Sequence, residues 1–280
     1  MSRTRKVWIF GLLAYGWSWF FWLPAVLTAE GFTMPSALQG YFSWSFSLGG
    51  WGPLVAAFLV TYWDLKRGGV RDLLRRGVKY RFGLIWYLVA LLLFPILIGG
   101  SLLLAVVTGE PLPVMDAFAE PIAIPISFVI VFFTMGPLQE EFGWRGFAQD
   151  RLQGRWSALI ASIVVGAMWG AWHLPLFFVP EMGVYYQRPI WGLVLSTILI
   201  SIPIAWVYNN TGRSVLAAML MHASFNWAHF LFPTLDSDRA GLILFVVQAA
   251  VAVIVVLVWG PSTLTRKSHT SDKRPSEGFV

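Results

Sequence analysis

Six side chains in this sequence have the types and spacing for hydrolytic chemistry. Glu140 and Glu141 stand side by side with Arg145 four residues beyond Glu141, His173 follows further along, and His222 precedes Asn226 by four. A carboxylate with two imidazoles and a carboxamide is sufficient to activate water, since a carboxylate withdrawn from solvent suits a general base. A histidine beside it can share the proton or hold a metal. A second histidine with an asparagine can donate to a developing oxyanion. Glu141 and Arg145 have the i, i+4 spacing of an intrahelical ion pair, which would neutralise the second carboxylate and leave Glu140 as the working one. Adjacent helical residues lie about 100° apart, so the two carboxylates need not share a role. Other hydrolytic chemistries lack their residues. The chain has no cysteine, which removes thiolate nucleophiles, thiolate metal sites and redox motifs. Neither H-E-x-x-H nor G-x-S-x-G occurs.

The elements that must position these groups are written in the composition. Hydrophobic residues make up 57% of the 280 and charged residues only 12%, roughly half the usual share of a soluble domain. Disorder, a collagen-like fibre and a disulfide-framed module are excluded, and an ordinary soluble enzyme would lack polar side chains to cover its surface. Eight apolar runs can be drawn, at 7–28, 41–63, 83–107, 122–144, 156–179, 190–208, 214–232 and 241–260. A membrane-crossing helix needs about 20 such residues. The first run follows a short basic head but is too long for a signal-peptide core, and reads as an uncleaved first helix. The expectation is an all-α polytopic membrane protein of eight transmembrane helices, with residues 1–260 a single domain and 261–280, rich in Ser, Thr and Lys, a disordered cytoplasmic tail.

Charge then orients the chain. With the N-terminus in the cytoplasm, the inner segments hold 18 of the 20 Lys and Arg residues, seven of them between Lys66 and Arg81, and only Arg188 and Arg239 fall outside. The outer loops carry Glu30, Glu110, Asp116, Glu120, Glu181, Asp236 and Asp238 instead. This bias follows the positive-inside rule for an even number of spans and places both termini in the cytoplasm. The net charge of +6 then belongs to the inner membrane face, and no nucleic-acid partner is needed to explain it. Val70, Leu73, Leu74 and Val78 recur at helical spacing among the arginines, as in an amphipathic helix on the inner leaflet.

Ionisable residues at membrane depth are costly and mark function by default. Here they are Glu140, Glu141, His173, His222 and His229, with no Asp among them. With a turn at Gly154, Glu140 and His173 both lie roughly 20–28 Å from it along their helices. His222 and Asn226 lie roughly 15–21 Å beyond Gly212, so these groups can meet in the cytoplasmic half. Gly166 and Gly170 share a face with His173, Ser214 and Ala218 with His222 and Asn226, and Gly136 and Gly143 with Glu140. Each polar group thus sits on a face suited to helix contact. His229 reads as packing or interfacial, Trp144, Trp169 and Trp172 as candidate pocket lining, and Pro137 as a kink beside Glu140.

Glu140-Glu141-x-x-x-Arg145, Trp169-x-x-x-His173 and His222-x-x-x-Asn226, in this order and at membrane depth, resemble the three motifs of the CPBP family of intramembrane proteases. That family includes CAAX prenyl protease 2 (Rce1-type) and bacteriocin-processing (ABI) enzymes. The motifs cover about 120–230, and the second begins with Trp where the family usually has Phe. The resemblance implies an intramembrane endopeptidase with an eight-helix core. Glu140 and His173 would activate water, His222 and Asn226 would steady the oxyanion, and Glu141 and Arg145 would support them. It also implies a zinc ion as a candidate on Glu140, His173 and His222, no organic cofactor, and a peptide or protein substrate met at the lipid bilayer, while the simple positive-inside topology points to a prokaryotic plasma membrane. The residues alone leave two other readings open, a proton-coupled secondary transporter and a catalytically silent immunity or scaffold protein.

Overall fold

The computed structural model describes residues 2–266, all of them in helices and connecting segments with no strand among them. The helices are α1 (Arg3–Ala29), α2 (Ser36–Gly49), α3 (Gly52–Gly77), α4 (Leu84–Val107), α5 (Ala123–Thr134), α6 (Pro137–Gly143), α7 (Asp150–Leu152), α8 (Ala158–Trp172), α9 (Ile190–Asn210), α10 (Val215–Leu231) and α11 (Asp238–Trp259). A π-helical stretch, Trp144–Gln149, joins α6 to α7. The chain is a multi-pass integral membrane protein. Five segments are long and apolar enough to cross a bilayer: α1, α4, Ala158–Phe178, α9 and α11. A sixth forms if α5 and Pro137–Leu152, bent by 41°, count as one broken span.

Three of the eight expected runs depart from single spans for local reasons, one being 122–144, which breaks between α5 and α6 at Met135–Gly136. The 41–63 run divides between α2 and α3 at the Gly49–Pro53 stretch, where Pro53 has no N–H to continue a helix and sits in the first turn of the next. Helix α10 has 17 residues, below the length of about 20 that a span needs.

Polar and small residues set the helix contacts. On α1, Ser18 Oγ donates to the Gly49 carbonyl at 2.7 Å and Trp22 Nε1 to the Phe46 carbonyl at 3.0 Å, fixing α2. Between α8 and α9 the backbones touch. A Cβ on Gly166 would lie 2.5 Å from Ile198 Cα, and one on Gly170 would lie 2.7 Å from Val194 Cα. Thr197 Oγ1 donates across this seam to the Gly166 carbonyl at 2.9 Å. The glycine stripe on α8 therefore serves α9, and His173 stands at the end of the helix as its C-cap.

The basic amphipathic segment does not lie free on the leaflet. Helix α3 breaks at Lys66 (φ 54°), and its second half packs back on the protein, burying Leu73 against Gly146 and bringing Gly77 onto Phe142. Leu74 and Val78 stay exposed. The segment beginning at Pro261 is likewise more ordered than expected over 261–266. The Pro261 and Ser262 carbonyls accept from Leu159 N and Ala158 N, the free donors of the α8 N-terminus. Asn209 and Asn210 hold the Thr263 and Leu264 carbonyls at 2.8 Å, and Leu264 is buried. The rest of the expected tail, 267–280, lies outside the described residues.

Gly166→Ala should lower the thermal midpoint of purified protein, because its methyl meets backbone rather than a yielding side chain, at a cost of about 1–3 kcal/mol. Gly100→Ala on α4, with open space at the added methyl, is the control and should leave the midpoint unchanged.

Candidate active site

The site is built around a broken helix. Helix α5 stops at Thr134, and the chain turns through Met135 and Gly136 before Pro137 starts α6. Gly136 has φ 110°, a conformation open to glycine but not to side-chain-bearing residues, and its carbonyl accepts from Glu140 N at 2.8 Å. The turn at Gly136 interrupts the helix there, so the Met135 carbonyl is left without a helical partner. Asn226 of α10 fills that vacancy, its Nδ2 donating to Met135 O at 2.7 Å.

Glu140 and Glu141 follow within the same turn and face different surroundings. Glu140 Oε2 accepts from Trp169 Nε1 at 2.5 Å and from Trp144 Nε1 at 3.2 Å. Its Oε1 lies beside Gly136, where an added Cβ would sit 2.6 Å away and 3.4 Å from His222 Cε1. Glu140 and His222 thus flank one glycine. Glu141 is fully buried, and its Oε1 takes both Arg145 NH1 at 2.6 Å and His222 Nδ1 at 2.8 Å. Arg145, also fully buried, donates from NH2 to Ser201 Oγ of α9 at 2.9 Å. Its guanidinium lies 4.8 Å from the Trp169 ring centroid. The expected i, i+4 pair is formed, and it carries His222 as well.

The histidine tautomers follow from their partners. His222 donates from Nδ1 to the Glu141 carboxylate, which leaves Nε2 facing Asn226 Nδ2 at 3.3 Å. His173 donates from Nδ1 to the Trp169 carbonyl at 2.8 Å, which leaves its Nε2 free to accept. The His173 ring lies between Trp172, 4.8 Å away, and Tyr185, 5.4 Å away. Trp169 is the hub of the group. Its N–H reaches Glu140, its carbonyl orients His173, and its ring meets His222 edge-on at 4.8 Å.

Five of the six expected residues, Glu140, Glu141, Arg145, His222 and Asn226, therefore share one contact network, and His173 joins it through the backbone of Trp169. His229 stands apart, buried with its ring against Phe225 at 4.8 Å and its Nδ1 without a partner among the described residues. The zinc expectation meets a different geometry. Among the described residues no three His, Asp or Glu side chains are close enough to hold a metal ion. One Glu140 oxygen is occupied by two indoles and both His222 nitrogens face protein groups. As placed, the three residues do not form a ligand set.

Four participants were not assigned these roles from sequence. Trp144 was legible in part, since it lies four residues after Glu140 and so on the same helix face. Trp169 was noted as lining, but its N–H contact spans 29 residues and has no sequence signature. Ser201 and the Met135 carbonyl likewise enter only through the packing of α9 and α10.

Arg145→Met should destabilise the protein by about 3–5 kcal/mol, because it strands the Glu141 charge without its cation. Adding Glu141→Gln should recover part of that loss in thermal unfolding of the purified protein. Additive losses would show that the two residues are not a unit.

Residues 122–228 match the family model described as type II CAAX prenyl endopeptidase, Rce1-like. The chain is 32% identical over 173 residues to a CAAX prenyl protease 2 of Methanococcus maripaludis, an alignment that covers 58% of this chain and 63% of that protein. It is 24% identical over 142 residues to a lysostaphin resistance protein A of Staphylococcus haemolyticus, covering 50% of this chain and 37% of that protein. The chain thus spans less than two thirds of the length of either curated relative. The matched segment begins just before α5 and ends within α10, and so contains every residue of the Glu140–His222–Asn226 network. By that segment the chain is similar to the Rce1-like CAAX prenyl endopeptidases.

Proposed function

We propose that this protein is an intramembrane endopeptidase that hydrolyses a peptide bond with water activated by Glu140. The observation that carries the reading is the asymmetry of the Glu140 carboxylate. Two indole N–H groups fix Oε2, and Oε1 is left unbonded beside Gly136 and His222. A base held by one oxygen and open at the other is oriented before substrate arrives. Glu140 takes a proton from the attacking water, and His173, with its Nδ1 proton tied to Trp169, offers Nε2 as a second acceptor for that water. The water oxygen bonds to the substrate carbonyl carbon and its electron pair moves to the carbonyl oxygen. Asn226 and His222 face that oxygen. Glu141 fixes the His222 ring from Nδ1, which keeps its Nε2 edge beside Asn226. The C–N bond then breaks and Glu140 returns its proton to the leaving amine, so the enzyme ends as it began.

The same reading places eight spans in the bilayer, with α2–α3 and the short α10 completing the count and both termini in the cytoplasm. The bias of basic residues supports it. The membrane would be a prokaryotic plasma membrane, in keeping with the archaeal and bacterial sources of the two relatives. The substrate class would be a membrane-delivered peptide or protein, either a C-terminal CAAX segment, as the name of the archaeal relative suggests, or a leader or membrane peptide.

Glu140→Gln should abolish cleavage of a fluorogenic peptide library presented in proteoliposomes while leaving the thermal midpoint near the parent value. Residual activity within tenfold of the parent would refute the assignment. Trp169→Phe keeps the ring but removes one hydrogen bond to a charged oxygen, a loss of about 1.5–3 kcal/mol. Its turnover should fall by about tenfold or more with substrate affinity little changed.

A further inference from the structure

An open cleft of about 640 Å³ lies at the end of the molecule reached by α7, away from the Glu140 network. Its walls are the C-terminal turn of α3, the segment 78–81 and the α9–α10 turn at Gly212 and Arg213, and Asp150 contributes from the start of α7. Five cations line it, Arg75, Arg76, Lys79, Arg81 and Arg213, against two carboxylates, Asp72 and Asp150. Both carboxylates are already engaged. Arg76 Nε is 3.0 Å from Asp72, and Arg213 NH1 is 2.9 Å from Asp150. Arg75, Lys79 and Arg81 have no carboxylate within 4.0 Å among the described residues. The cleft therefore carries three uncompensated positive charges.

The rim is apolar where the cleft meets the bundle surface. Val78 is 71% exposed and Tyr80 59% exposed, and α4 begins four residues after Tyr80 with Leu84, 73% exposed, and Ile85. The segment is held in place. Tyr87 OH donates to the Tyr80 carbonyl at 2.6 Å, Phe82 stacks on Tyr87 at 4.2 Å, and Lys79 Nζ reaches the Gly212 carbonyl at 2.7 Å. Helix α4 is long and apolar enough to cross a bilayer. A path thus runs from a cationic cleft straight onto the lipid-facing side of a span.

We propose that this cleft binds the phosphate headgroup of an anionic phospholipid, with its acyl chains lying along the exposed face of α4. The cations supply the charge that a phosphodiester lacks in its counterions. The Val78–Ile85 rim supplies what a free phosphate or a soluble peptide would not use. Arg75 and Arg81 are the discriminating contacts, because neither is committed to an ion pair within the protein.

The test uses the full chain in mild detergent and native mass spectrometry to count bound lipid. The probes are dioleoyl phosphatidylglycerol, dioleoyl phosphatidylcholine and inorganic phosphate. The parent protein should retain phosphatidylglycerol over phosphatidylcholine. The pair Arg75→Gln with Arg81→Gln should weaken that retention by about tenfold with an unchanged thermal midpoint. A control pair, Arg5→Gln with Arg155→Gln, removes equal charge from outside the cleft and should bind like the parent. Equal losses in the two pairs, or none in the first, would overturn the site. Displacement of the lipid by inorganic phosphate at matched concentration would overturn the lipid as its occupant.

Discussion

The structure turns on the cost of burying Glu140, Glu141 and Arg145 within two turns of helix inside an apolar bundle. A charge removed from water without a partner costs several kcal/mol, so each of these groups dictates what must surround it. Arg145 answers Glu141 on its own helix and borrows Ser201 from α9. Glu140 receives no cation. It is met by two indole N–H groups, donors that bring no charge and little mobility. This division separates the two carboxylates. One is neutralised and made structural, and the other is fixed at one oxygen and open at the second.

The break before Glu140 belongs to the same logic. A continuous helix through Met135 and Gly136 would occupy every backbone carbonyl and leave no polar group for α10 to grip. Because Gly136 turns with positive φ and breaks the helix, the Met135 carbonyl becomes an acceptor at membrane depth, and Asn226 is bonded to it. Asn226 in turn stands against His222, and His222 is fixed to Glu141. The irregular backbone is tolerated because protein donors satisfy it where lipid would not. The close seam between α8 and α9, made by Gly166 and Gly170, holds Trp169 and Ser201 near this same turn.

Outside the bundle the chemistry is electrostatic. Arg76, Arg213 and Asp150 link the end of α3, the α9–α10 turn and the start of α7 at the basic end of the molecule. The second half of α3 was expected on the leaflet because its apolar residues recur at helical spacing. That spacing cannot say whether the apolar stripe meets lipid or protein. Leu73 meets Gly146, and the segment becomes a support for the π-helical stretch after Glu140.

Composition and pattern alone determined the solvent and the cast. Low charge and long apolar runs require a helical membrane protein, because only backbone bonded within each segment survives in hydrocarbon. The rarity of ionisable residues in those runs singled out Glu140, Glu141, His173, His222 and the nearby Asn226. Local spacing also identified the Glu141–Arg145 pair, since i and i+4 meet on any helix. Only the tertiary structure decided that His222 joins Glu141, that Trp169 reaches Glu140, that Asn226 holds Met135, and that the 41–63 and 122–144 runs are each two helices. Those contacts depend on how separate helices are rotated against one another, and hydrophobic periodicity is nearly silent on rotation when a helix is apolar on every side.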